Sequence, residues 1–206
     1  MNADKIDSMS PRLSERSGHR GRMIACFASG FAMGVLAMCT LLAVGVAQAA
    51  ETREPDQHFF NPNTGDFKAE LADAKSAGKK AIFFMFEQEG CSGCIYMKRN
   101  VLNRTRVQAF YRERFLNFSV DIHGAVPLKD FTGRDATEKS FAQKLGVSGT
   151  PTFLFYDLQG AEIIRIVGPV RDVGEFMLLG EFVSSGAYKT RTFSDYKDSR
   201  RTRKGT

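Results

Sequence analysis

Apolar and polar positions along this chain fall into segments whose period changes from one to the next. Residues 23–46 contain no charged side chain, and the polar stretch before them carries Lys5, Arg12, Arg16, Arg20 and Arg22. Beyond residue 50 the pattern is that of a folded domain. "EPDQHFFNPNTG" is rich in turn formers without a period and reads as part of a lead-in segment, 50–65. Asp66 is placed to cap "FKAELADAKSAGKK", in which Phe67, Leu71 and Ala74 recur at helical spacing and Gly78 ends the run. "AIFFMFE" (81–87) is a continuous apolar run of strand length, as expected of a strand covered on both faces.

The helix that follows is predicted over "CIYMKRNVL", and a second over "TRVQAFYRERF" with Val107, Phe110 and Tyr111 on one face. "FLNFSVDI" (115–122) alternates as a strand, and "HGAVPLKDFTGRDA" reads as a loop with Gly and Pro. "TEKSFAQKLG" is a short amphipathic helix with Phe141, Ala142 and Leu145 inward, closed by Gly146. "PTFLFYD", the turn "LQG" and "AEIIRIVG" form a hairpin pattern. A last helix over "RDVGEFMLLGEFVSS" places Val173, Phe176, Met177, Leu179 and Phe182 inward. No internal repeat or second domain boundary interrupts this order. The 18 phenylalanines, concentrated in "HFF", "IFFMF" and "FLF", are core material.

The uncharged run ends at Ala47-Gln48-Ala49, an A-x-A pattern. Residues 1–49 therefore read as a secretory signal cleaved near Ala49, with an uncleaved membrane anchor as the alternative, since about 20 apolar residues span a bilayer. In either case the domain is expected outside the cytoplasm, because the arginines precede the run. Met38 is too bulky for Cys39 to sit in a lipidation site. The net charge is +6, and the tail 189–206 contributes much of it, with seven basic residues against Asp195 and Asp198. A basic tail of this kind reads as a frayed, solvated end, not a nucleic-acid site.

Cys26 and Cys39 lie in the leader, so a mature chain keeps only Cys91 and Cys94 in "EGCSGC". Three readings compete for that pair. A structural bridge three residues apart closes a tiny loop and removes little unfolded-state entropy. Zinc needs about four ligands, and beyond the two thiols only His58 and His123 remain in the mature chain, so no metal is expected. His123 itself reads as a surface or packing residue. The redox reading gives each position a reason. A strand emptying into a helix places Cys91 at the helix start, where free N–H groups favour a thiolate. Cys94 lies one turn further on the same side, close enough to attack a mixed disulfide on Cys91.

Fifty-seven positions after Cys94, "GVSGTPTFLFYD" opens a strand at Thr150 and Pro151, a place suited to a cis proline. With "CSGC" and "GTP" together, the chain resembles the thioredoxin superfamily over roughly 66–184. That resemblance implies an α/β thioredoxin-like fold, a central mixed sheet flanked by helices, spanning 66–188. It also implies that Pro151 packs beside the sulfur pair and that Thr150 hydrogen-bonds an extended substrate. "VDIHG", "DFTGRDATEKSFAQKLGVSGTPTFLFYD" and "IVGPV" are most similar to exported thioredoxins of the SoxW type. Such proteins are implied to reduce periplasmic thiols with electrons from a membrane thiol carrier.

The motif departs from the usual thioredoxin pattern. Gly90 stands where Trp is common, Ser92-Gly93 replace Gly-Pro, and Met85 occupies the position of a buried acid that helps deprotonate the second thiol. Glu87 is the candidate substitute in a proton relay, with an exposed surface charge as the alternative. Carboxylates nearby, Glu87 and Glu89, also oppose the helix dipole. The expected function is an exported thiol:disulfide oxidoreductase acting on protein substrates through Cys91 and Cys94, with no cofactor. Residue chemistry leaves reductant and oxidant both open. The alternative is a non-catalytic thioredoxin-fold binding module.

Overall fold

The computed structural model describes residues 51–204, which belong to one compact unit. The leader 1–49, with Cys26, Cys39 and the A-x-A site, lies outside the described residues. The elements run α1 (Pro55–His58), α2 (Phe67–Ser76), β1 (Ala81–Glu87), α3 (Ser92–Met97), α4 (Thr105–Arg114), β2 (Phe115–Asp121), β3 (Pro127–Lys129), β4 (Asp135–Thr137), α5 (Glu138–Lys144), β5 (Thr152–Tyr156), β6 (Glu162–Val167), α6 (Val173–Ser184) and α7 (Phe193–Lys204). A π-helical turn, Lys98–Leu102, extends α3, and a 3-10 turn, Ala187–Lys189, follows α6.

The four-stranded sheet has the order β2-β1-β5-β6, with β1 and β2 parallel and the other pairs antiparallel. β1 is central, which is why its sequence is apolar at every position from Ala81 to Phe86. Its side chains alternate between two cores. Ile82, Phe84 and Phe86 pack with Phe67 of α2, Phe118 and Phe141 of α5. Phe83 and Met85 face the opposite way, toward Phe59, Tyr111 of α4, Phe153, Phe155 and Phe176 of α6. Helices on both faces thus leave the sheet's ends as the place for a site.

The helix limits follow local chemistry. The Asp66 side chain accepts the Ala69 N–H at 2.9 Å and caps α2, and Gly78 leaves it at φ +67°. A reciprocal capping box between Thr137 and Ser140 starts α5.

Three segments differ from the sequence expectation. The loop around residues 123–136 contains the hairpin β3-β4, whose strands of three residues are too short to show a period. Asp130 builds the turn between them by accepting the N–H groups of Thr132 and Arg134, and Lys144 pairs with the same buried carboxylate. The lead-in is not without structure. It holds α1, buries Phe59 and Phe60, and runs beside β2 through the Asn61 N–H to the Asn117 carbonyl at 2.7 Å.

The basic tail is a helix, not a frayed end. Tyr196 packs its ring 5.5 Å from that of Phe182, and Lys197 and Arg200 pair with Glu175 and Glu181 of α6. Two of the tail's basic residues, Lys197 and Arg200, thus help to dock it. Tyr196→Ala should therefore lower the unfolding free energy by about 2–4 kcal/mol, the range for truncating a buried large side chain. Arg201→Ala, which removes only an exposed 3.8 Å ion pair with Asp198, should stay within about 0.5 kcal/mol. Urea titration of the two variants measures the contrast.

Candidate active site

Between β1 and α3 the chain reverses through Gly90, at φ +73°, a conformation costly for any residue with a Cβ. Cys91 then becomes the N-cap of α3. Its sulfur accepts the Cys94 N–H at 3.1 Å, and its carbonyl accepts the Ile95 N–H at 3.0 Å. Cys91 and Cys94 are joined in a disulfide with Cα atoms 5.2 Å apart. Cys91 is 8% exposed and Cys94 2%. Cys91 is thus the more exposed residue of the pair, but it is more enclosed than a bare strand-to-helix junction predicts.

Two proline loops close on the same turn. The register pairs Phe86 with Thr152 and Thr152 with Val167, so the end of β1, the start of β5 and the end of β6 lie side by side. Loops at residues 91–94, 149–151 and 168–171 therefore meet at one end of the sheet. The Thr150–Pro151 bond is cis. A Cβ on Gly93 would lie 2.8 Å from Cδ of Pro151 and 3.6 Å from Cδ of Pro169, so the absence of a side chain at Gly93 lets both rings close on the disulfide turn. The Gly168 N–H donates to the Pro151 carbonyl at 2.8 Å and ties the two loops together. Thr150 is half-buried beside them.

Glu87 is neither free nor an exposed charge. Its carboxylate pairs with Lys98 at 2.8 Å and accepts the Ser119 hydroxyl. Lys98 also reaches Asp56 of α1 at 2.9 Å, so one ammonium ties the lead-in to the turn after the cysteines. Burial by itself lowers the Lys98 pKa, but hydrogen bonds and charge from Glu87 and Asp56 outweigh it and leave the pKa raised. Met85 is fully buried in the core cluster that also holds both cysteines, so an apolar side chain fills the place of the acid. Glu138, at the start of α5, has a raised pKa from burial and from the charges of Asp121 and Glu87. His123 is exposed, and no cluster of three or more His, Cys, Asp or Glu suited to a metal occurs among the described residues.

The chain matches the thioredoxin-like domain over residues 67–183. The chain belongs to the thioredoxin-like family. Other likenesses are more distant. It is 26% identical over 144 residues to the thiol:disulfide interchange protein DsbD of Pseudoalteromonas atlantica, covering 69% of this chain but only 22% of that protein. A thioredoxin-fold protein from Helicobacter pylori is similar at 22% identity, with a TM-score of 0.49 over 61% of this chain and 82% of that one. The reduced C-terminal domain of Neisseria meningitidis DsbD gives 19% identity and a TM-score of 0.43 over 57% and 93%.

Around the motif of this thioredoxin-like chain, the sequence left several partners unnamed. Pro169 touches the cysteine turn, and "IVGPV" carried its signal as a Gly-Pro pair directly after a strand. The Arg171 guanidinium lies over the Tyr96 ring at 4.7 Å, and Lys98 bridges Asp56 and Glu87. Neither contact has a local pattern, because each joins residues far apart in sequence.

Proposed function

We propose that the protein is an exported thiol:disulfide oxidoreductase that reduces disulfides of protein substrates through Cys91 and Cys94. The observation that carries this reading is the cysteine pair at a helix start with the Pro151 loop closed against Gly93. In the dithiol state the Cys91 thiolate attacks a substrate disulfide, forms a mixed disulfide and releases one substrate thiolate. Cys94 then attacks Cys91, releases the second substrate thiol and closes the Cys91–Cys94 bond, so two electrons pass to the substrate. N–H groups at the helix start favour the attacking thiolate.

Thr150 and Pro151 are the proposed contact for an extended substrate segment. The main-chain N–H and C=O of Thr150 have no partner among the described residues, which leaves them available to a substrate backbone. With Met85 apolar, Glu87 is the proposed proton partner of the resolving thiol, held by Lys98 and Ser119. The basic lead and the A-x-A site support export to the periplasm and division of the chain into a signal 1–49 and a mature part, in which the lead-in 50–65 packs against the domain from residue 66. Among the described residues, no helix is long and apolar enough to cross a membrane. A SoxW-type role, fed by a membrane thiol carrier, rests on the sequence resemblance and belongs to the same proposal.

Insulin reduction with dithiothreitol as electron source tests the activity. The expected result is precipitation of the insulin B chain well above the uncatalysed rate. Inertness would replace the enzyme with the non-catalytic binding module. A reduction potential close to thioredoxin's, about −270 mV, is expected for a reductant, and a much less negative value would make the protein an oxidant or isomerase.

A further inference from the structure

We infer that Arg171 selects substrates carrying a carboxylate side chain beside the reacting cysteine, an inference that rests on the oxidoreductase reading above. Arg171 follows Pro169 by two residues, and Pro169 lies against Gly93 between the two cysteines. The guanidinium is held over the ring of Tyr96, two residues beyond Cys94, at 4.7 Å. The Tyr96 hydroxyl reaches back to the Arg171 carbonyl at 3.5 Å, so loop and helix grip each other from both sides. An exposed positive charge is thereby held on the loop after Pro169, over the helix that carries Cys94.

Carboxylates near Arg171 in the chain are committed elsewhere. Asp172 caps α6 by accepting the Glu175 N–H at 2.6 Å, and Glu175 pairs with Lys197. Glu87, on the other side of the motif, is paired with Lys98. Among the described residues Arg171 takes part in no ion pair, as is also true of Arg99, Arg104, Arg106, Arg112, Arg134 and Arg191; what sets Arg171 apart is its place over Tyr96, beside the cysteine turn. A guanidinium that keeps a stacked geometry and an open hydrogen-bonding fork is suited to a carboxylate arriving from outside. The stack alone would explain a pinned loop; it does not require the outer edge of the guanidinium to be left unpaired.

The test uses the full chain, dithiothreitol and two peptides, each containing one disulfide and differing only in Glu or Gln beside the reactive cysteine. The readout is the ratio of kcat/KM for the Glu peptide to that for the Gln peptide within each protein, so that general loss of activity cancels. The wild type should prefer the Glu peptide about two- to fivefold, the range of an exposed ion pair, and high salt should erase the preference. Arg171→Lys, which keeps the charge but loses the stacked fork, should keep only part of the ratio, Arg171→Gln should bring it to one, and Arg171→Glu should invert it. A wild-type ratio of one, or a ratio that survives Arg171→Gln, overturns the assignment while leaving the oxidoreductase reading intact. Failure of the wild type to reduce either peptide removes that reading and this one with it.

Discussion

Cys91→Ser should reduce disulfide exchange to the uncatalysed background and leave no covalent adduct, whereas Cys94→Ser should still attack substrates and then stall on them. The asymmetry comes from position. Cys91 is the N-cap of α3, is the more exposed of the two, and its sulfur receives the Cys94 N–H at 3.1 Å. That bond favours negative charge on Cys91 in the dithiol state, because an N–H donor stabilises a thiolate more than a thiol. Cys94 is almost completely enclosed, so it attacks only the neighbouring Cys91 sulfur, once that sulfur is bonded to a substrate. Non-reducing gels of Cys94→Ser produced in its native host should show heavier, reductant-sensitive species that contain the natural substrates. Adducts accumulating on Cys91→Ser and not on Cys94→Ser would reverse the two roles.

Much of this site was legible because its parts are local. "CSGC" after an apolar strand places both sulfurs, and "GTP" before another strand places the proline that meets them. What could not be read was how tightly they are enclosed. Nothing local at Gly93 signals that the space its missing side chain leaves is filled by the rings of Pro151 and Pro169. Glu87 looked like a free carboxylate because its partners, Lys98, Ser119 and the neighbouring Asp56, come from three other segments. The fold divides along the same line. Long periodic segments and capped helices were recoverable, whereas the three-residue strands β3 and β4 depend on the Asp130 turn, and α7 is held to the body by tertiary contacts of Tyr196 that its polar, basic sequence disguises.

Phe83→Ala should lower the unfolding free energy by about 3–5 kcal/mol, a large share of the total for a domain of this size. Phe83 is fully buried on the central strand, and its ring lies 5.0 Å from Phe155, 5.6 Å from both Phe59 and Tyr111, 5.9 Å from Phe153 and 6.1 Å from Phe176. One side chain therefore joins the lead-in, α4, β5 and α6. Truncation removes buried apolar area and aromatic edge contacts, and the five surrounding rings are too rigid to close the space. Met85, two residues along on the same face, shares that cluster with Cys91 and Cys94, so the loss should also loosen the support beneath the disulfide. Phe83→Leu, which keeps most of the volume, should cost much less and separates the cavity from any wider rearrangement. Guanidinium unfolding of wild type and both variants measures the difference. A cost below about 1 kcal/mol for Phe83→Ala would mean that the core on this face is not packed around Phe83.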